Sequence, residues 1–287
     1  MQAKTVFQYS IYPVVMILFS GIILTGIYAG YNYYLVSLPV IFAAGLLVAV
    51  LERFFPYQEA WLDHWDWNLD IVHYLVNFAG KLLALLNFSM LAEQITFPQL
   101  FPTEIPFLLQ VLLALVAFDF IAYLTHLISH KSAFLWKFHA IHHSSERLYF
   151  LNGEKRHALH QVFEGFPGLI LCLVIGTPYP VMVSAISILT IGFFFAHTNL
   201  DYKAGFLKHI FCVAEVHRWH HRTDFEEGEV NFGALFSVWD HIFGTAYSPK
   251  DKELKEVGIK EEPNFPRSFM GQFFYPFSRS LQERSKK

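Results

Sequence analysis

The sequence predicts an all-α integral membrane protein. It reads as a helical bundle of about four transmembrane helices plus a short hairpin, with a cytoplasmic histidine-rich helical cap. Three observations predict this. Hydrophobic residues make up 54% of the chain and charged residues 16%, where soluble domains carry about 25% charge. Long stretches contain no Asp, Glu, Lys or Arg. Thirteen of the 15 histidines fall between His126 and His241. A length of 287 residues suits one sizeable structural domain. The net charge of −3 gives no basic excess, so no nucleic-acid partner is expected. Cys172 and Cys212 lie in or beside apolar segments and read as packing residues rather than a disulfide.

The elements follow in chain order. From Thr5 to Leu51 no charged residue occurs, a run long enough for two crossings at about 20 residues each. Gly26, Gly30, Tyr31 and Asn32 supply a break, which places helices near 9–29 and 33–51. A third candidate runs from Ile71 to Ile95 with Lys81 inside it. It is expected to pass close to the fourth, with Lys81 at an interface or paired with a carboxylate. The fourth runs from Ile105 to about Ser129, interrupted by Asp119. Gly165 to Leu200 is again uncharged, broken by Gly176-Thr177-Pro178-Tyr179-Pro180. Its two arms read equally as a tight pair of crossings and as a re-entrant hairpin. Lys131, Lys137, Arg147, Lys155 and Arg156 gather on the histidine side, which puts that side in the cytoplasm. The tail after Tyr247 is charged and then Phe-rich (Phe265, Phe269, Phe273, Phe274, Phe277), as an interfacial segment would be.

His126 and His130 are four apart, on one face of a helix and one turn from each other. Then come His139-x-x-His142-His143 and, much later, His217-x-x-His220-His221. In each, the adjacent pair points two rings in different directions, as two neighbouring metals would require. Neutral imidazole suits Fe, Zn, Cu and Ni. Eight or more histidines exceed the four ligands of one structural zinc. Two metals account for the set more economically. His64, His73, His209 and His241, standing alone, read as ordinary core or interfacial histidines.

These residues resemble the fatty acid hydroxylase/sterol desaturase superfamily. The stretch from Asp119 to His130 resembles its first box. Phe134 to Glu146, containing His139-Ala140-Ile141-His142-His143, resembles the second. Phe195-Ala196-His197-Thr198-Asn199 resembles an intermediate histidine segment. Glu215 to His221, Asn231-Phe232-Gly233 and Trp239-Asp240-His241-Ile242-Phe243-Gly244-Thr245 resemble the C-terminal boxes. The likeness covers roughly residues 110–247. Leu127 departs from the family pattern in the first box, and Tyr149, Lys155, Ala158 and His160 depart from it after the second, on its substrate side, while His157 keeps a family histidine.

The resemblance implies an O2-dependent di-iron enzyme that hydroxylates or desaturates a lipid: a sterol, a fatty acyl chain or a related molecule. Two iron ions are the implied cofactor, with zinc as a purification substitute. The implied metal set is His126, His130, His139, His142, His143, His157, His197, His217, His220 and His221. His160, His209 and His241 are expected outside it. Asp119 is expected to orient a ligand histidine from another box, with Tyr123 assisting. Glu146, Asp224 and Asp240 are weaker carboxylate candidates, and Asn231 with Trp239-Asp240 is expected to fix the fold around the site. The division is 1–104 for N-terminal transmembrane helices, 105–247 for the hydroxylase-like catalytic domain and 248–287 for the tail. No cytochrome domain, ferredoxin motif or dinucleotide fingerprint occurs. Electrons are therefore expected from a separate donor, either cytochrome b5-like or a ferredoxin and reductase. The competing reading is a redox-inert zinc membrane protein, hydrolytic or structural, separated from the first by O2 consumption with ferrous iron and a reductant.

Overall fold

A computed structural model of the chain describes residues 2–62, 65–94, 100–223, 228–249, 252, 254, 256–259 and 264–278. These residues form α-helices joined by short 3-10 turns, with no strand among them. Among the described residues five helices are long and apolar enough to cross a membrane: α1 (Gln2–Tyr28), α2 (Tyr33–Phe54), α3 (Trp67–Gln94), α4 (Phe107–Lys131) and α7 (Tyr179–His197). Between α4 and α7 lie α5 (Ala133–His143) and α6 (Ala158–Val174); after α7 come α8 (Ala214–His220), α9 (Val238–Phe243) and α10 (Phe269–Phe274). The molecule is an all-α, multi-pass membrane bundle, as the composition predicts.

The sequence breaks fall at the turns. Gly30 ends α1 with φ at 84°, a left-handed position that glycine reaches without strain. Asn32 then caps α2, its side chain accepting from Tyr34 and Leu35 N–H. At the next boundary Ser132 separates α4 from α5 and caps α5 by accepting from Leu135 N–H. The outer faces carry lipid-compatible side chains: Ile17, Leu35, Phe42 and Leu108 are all exposed.

The bundle is organised around α7. Its membrane window is 72% buried, whereas those of α1, α2 and α3 are 22–28% buried. Tyr12, Ile23, Val48, Ile191, Phe194 and Phe195 form the core on one side of it. Leu115, Val181, Ile188 and Leu235 form the core on the other.

The uncharged segment after Gly165 resolves into the C-terminal part of α6 and the whole of α7. Its tip lies level with the far ends of the other spans. Phe101 N–H donates to Ile175 O at 2.7 Å, and the Tyr34 and Tyr179 hydroxyls are hydrogen-bonded. The turns near residues 31, 101 and 176 therefore share one end of the bundle, and the hairpin runs its full depth.

The expectation that α3 passes close to α4 is corrected. Among the described residues α3 packs on α6 and the turn Phe150–Glu154, and α6 packs in turn on α4. The hairpin takes the faces of α4 that α3 would have used. Lys81 is paired as expected, its Nζ 2.6 Å from the buried Glu154 carboxylate. Burial pushes that carboxyl up, but Lys81 and Arg156 outweigh it and hold the group below its ordinary range.

Candidate metal centre

At the end of the bundle opposite those turns, four helices deliver nine histidines to one place. α4 contributes His126 and His130, α5 contributes His139, His142 and His143, and α7 contributes His197 at its last residue. α8 contributes His217 and His220, with His221 as its C-terminal cap. All nine are buried. Their ring nitrogens form two groups, within each of which the candidate ligand atoms lie no more than 4.8 Å apart. The first is His126, His130, His139, His143 and His220; the second is His142, His197, His217 and His221. The two touch where the rings of His143 and His221 stack at 4.4 Å.

Local structure sets each ring. A tight α4–α5 turn brings the HxxxH face back over the first HxxHH helix. The segment after α7 is bound to α8 by the buried Arg218, which donates to Thr198 O and Leu200 O and lies over the Tyr57 ring. That ties His197 to the helix carrying His217 and His221. Gly153 allows the turn Phe150–Glu154 to approach His197, since a Cβ there would lie 3.2 Å from the imidazole ring.

The tautomers are set by groups outside the cluster. His126 Nδ1 donates to Phe232 O at 2.9 Å, His220 Nδ1 to Val230 O at 2.8 Å and His142 Nδ1 to Lys155 O at 3.3 Å. His197 Nδ1 donates to Asn152 Oδ1 at 3.2 Å. A proton on Nδ1 leaves the lone pair on Nε2, facing the cluster. The Nε2 atoms of His126, His142 and His220 are buried with no hydrogen-bond partner. Other Nε2 atoms face each other, at 2.9 Å for His197–His217 and 3.1 Å for His130–His143. Orphaned buried nitrogens are costly. A bound cation in each group gives them a partner, so the residues fit a metal.

Charge state agrees. Burial first, and neighbouring histidines second, hold the imidazoles of His139, His143, His217, His220 and His221 well below their ordinary value. The same holds for His142, with Arg156 adding to the effect. These rings are neutral near pH 7, the form that ligates.

The remaining candidates lie elsewhere. His157 is the N-cap of α6: its Nδ1 accepts from Leu159 N–H and its Nε2 donates to Phe273 O. It joins neither histidine group, because capping and the tail occupy both nitrogens. Among the described residues the expected bond from Asp119 to a histidine is absent. Its carboxylate accepts from Leu235 N–H at 2.6 Å, Phe236 N–H at 3.2 Å and Trp239 Nε1 at 2.8 Å. It tethers the segment leading into α9. The Tyr123 hydroxyl bonds Thr245 Oγ1, and its ring stacks on Phe243. Asp240 accepts from Phe232 and Gly233 N–H and from Thr245 Oγ1; Phe232 in turn receives His126, so Asp240 supports the centre through the backbone. Asn231, at φ 55°, clips α8 to the segment after α9 by donating to Val216 O and Tyr247 O. Glu146 is an exposed partner of Arg267. His209 and His241 face each other away from the cluster. His64 and Asp224 lie outside the described residues.

Two positions drew no notice in the sequence. Glu164, buried on α6, has its carboxylate 2.6 Å from Arg156, 3.6 Å from His160 and 3.8 Å from His139 Nδ1. Asn152 holds His197. Neither belongs to a histidine box; the one signal for Glu164 is a carboxylate one helical turn after His160. On the outer side, a cavity of about 20 Å³ reaches His130, His143 and His220 past Trp136 and Arg222.

Comparison with known proteins agrees with this geometry. The fatty acid hydroxylase family model matches residues 111–245, the span holding every histidine of both groups. An ornithine lipid hydroxylase of Rhizobium tropici is 32% identical over 81% of this chain and 73% of its own length. An alkylglycerol monooxygenase of Caenorhabditis elegans is 28% identical over 51% of this chain and 28% of its own. Cholesterol 25-hydroxylase-like protein 2 of Danio rerio is 29% identical over 58% and 60% respectively. No solved structure matches the chain.

Proposed function

The chain belongs to the fatty acid hydroxylase family, and from that premise we propose that it is a di-iron enzyme hydroxylating a membrane lipid with O2 and electrons from a separate protein. Membership makes it an O2-dependent lipid hydroxylase, an oxidoreductase of the membrane. The ion count, the metal's identity and the substrate are our reading. The observation that carries it is the sorting of nine buried imidazoles into two groups, each compact enough for one ion.

We assign His126, His130, His139, His143 and His220 to one ion, and His142, His197, His217 and His221 to the other. Bound iron would supply the oxidising power that an unactivated C–H bond demands, which no side chain provides. The protein's part is binding, orientation and exclusion of water. Phe232 O, Val230 O, Lys155 O and Asn152 hold ligand protons on the outward nitrogen. Glu164 faces His139 from behind, a placement that raises ligand basicity. His126, His130 and His197 lie at the ends of membrane-spanning helices, so the centre stands at the edge of the membrane, where a lipid is at hand. Desaturation shares the first hydrogen abstraction; hydroxylation is the reading that the relatives' names support. The amino-acid lipid in the name of the Rhizobium relative is the first substrate class to test. The Lys and Arg bias supports a cytoplasmic histidine layer.

The test is anaerobic loading of purified protein with ferrous iron, then isotopically labelled O2, a chemical reductant and a membrane lipid extract. We expect labelled oxygen in a lipid product, dependent on iron and lost when zinc replaces it. A zinc form of equal activity, or O2 uptake without lipid oxygenation, would overturn the assignment.

A further inference from the structure

A second built site lies on the histidine side of the bundle. A cavity of about 490 Å³ opens beside the end of α2, lined by Glu52, Arg53, Trp61, Trp67, Arg147, Tyr149, Phe150 and Asn199, among others. Its depth is marked by the side chains around it: Phe54, Phe55, Tyr57, Trp65 and Trp67 are all substantially exposed. Exposed aromatics at helix ends define the membrane–water interface, where lipid headgroups lie.

The wall chemistry is specific. Glu52 is 5% exposed. Its Oε1 accepts from Phe150 N–H at 2.8 Å, Thr198 Oγ1 at 2.6 Å and Asn199 N–H at 2.7 Å. Its Oε2 has no hydrogen-bond partner among the described residues. A carboxylate fixed by three donors through one oxygen presents the other to whatever fills the cavity. Trp61, Trp67, Tyr149 and Phe150 add aromatic faces, which attract cations. Arg147 is held by Asp66 at 2.8 Å and by Trp61 O at 2.7 Å, so its charge is matched. Arg53 lines the same wall.

We propose that this cavity binds the headgroup of a membrane lipid carrying a primary ammonium. The ammonium goes to Glu52 Oε2 and the aromatic faces. One layer of residues separates this cavity from the second histidine group. Phe150 and Asn199 line it, while Asn152 holds His197 and Gly153 abuts the His197 ring. The cavity thus anchors a substrate beside the centre, which rests on the lipid-hydroxylase reading above. An amino-acid lipid and phosphatidylethanolamine share the required chemistry.

The test is native mass spectrometry of the detergent-purified full chain, titrated separately with four lipids. These are an ornithine-headgroup lipid, phosphatidylethanolamine, phosphatidylglycerol and diacylglycerol. At least one ammonium lipid should bind about tenfold or more tighter than the last two, the scale of one charge-assisted contact. The tighter of the two identifies the source. Glu52→Gln should erase that preference while metal content stays unchanged. Should that variant fail to purify, Trp67→Ala, on a half-exposed residue, should still weaken the preference several-fold. Equal binding of all four lipids, or an unchanged preference in whichever variant purifies, would overturn the proposal. Binding is read without turnover. Preference without hydroxylation would therefore sink the enzymatic reading alone, and hydroxylation without preference would sink this site alone.

Discussion

The two histidine groups are built from the same motifs in opposite proportions. In α5, His139 and His143 serve the first group and His142 the second; in α8, His217 and His221 serve the second and His220 the first. Helix geometry explains the division. Residues i and i+4 lie about 40° apart around the axis, while i+3 lies about 60° to the other side. An HxxHH helix therefore offers a pair to one ion and a single ring to its neighbour. Two such helices facing each other satisfy both ions, with the HxxxH of α4 and the single His197 completing the sets. The surroundings differ as well. The first group borders the cavity past Trp136 and Arg222, whereas the second is walled by Asn152, Gly153 and Cys212. The comparison teaches that similar ligand sets meet different access, so perturbations of one group should be separable from perturbations of the other.

The largest effect should come from the ligands themselves. His220→Ala should release the first ion and His217→Ala the second, each leaving about one metal per chain by elemental analysis. Activity should fall further than the roughly 10- to 100-fold typical of an outer partner. Loss of both ions from either variant would show that the groups are a single site. Next comes Glu164→Gln, which removes the charge behind His139. Metal affinity of the first group should fall about 10- to 100-fold, with the second unchanged in a competition titration. An equal loss at both groups would break the distinction.

Asp119→Asn should act on neither group. It opposes an amide N–H₂ to donors now received by a carboxylate, at a cost of about 2–4 kcal/mol in stability. Thermal unfolding should register that loss, while iron per folded chain stays at the wild-type level. A drop in iron occupancy would restore a role at the metal. For the metal-free protein, pH supplies a further test. The box histidines of α5 and α8 have folded values well below the ordinary imidazole value of about 6.5. The unfolded chain then binds protons that the folded one refuses. Their contribution to stability is fully present above about pH 6.5 and is lost as pH falls below it. Melting temperature should drop with acidification in that window, and at least as steeply once metal is bound, since a bound ion keeps the folded rings deprotonated. A flat profile would contradict the neutral-imidazole account. Smallest is Gly153→Ala, whose methyl would press on the His197 ring. A few-fold weakening confined to the second group is expected, of the order for a modestly displaced ligand partner.

Much of this was legible in the sequence, for identifiable reasons. Long apolar runs marked α1, α2 and, around the single charge of Asp119, α4, because a charge in lipid is too costly to scatter. Histidine spacing foretold that α4, α5 and α8 each present a paired face. The hairpin was legible but its depth was not, since only tertiary bonds such as Phe101 to Ile175 fix where its tip lies. Lys81 could be read as needing a partner, but not that Glu154 would provide it. His157 matched by ungapped counting, yet a histidine immediately before an apolar helix is also a cap, and that local chemistry prevails. Asp119 looked like an orienting group because it shares a helix with His126 and His130. Sequence could not show that Leu235, Phe236 and Trp239 return to claim it. Phe232 orients His126 through its backbone carbonyl, a function that no side-chain motif can record.

The central claim is that the tandem boxes build two distinct, inequivalent metal sites. Mössbauer spectroscopy of the full chain reconstituted anaerobically with ferrous iron tests it most directly. Two doublets of equal area should appear, and Glu164→Gln should shift the parameters of only one. A single doublet, or two that respond together to Glu164→Gln, would contradict the division of the histidines described above.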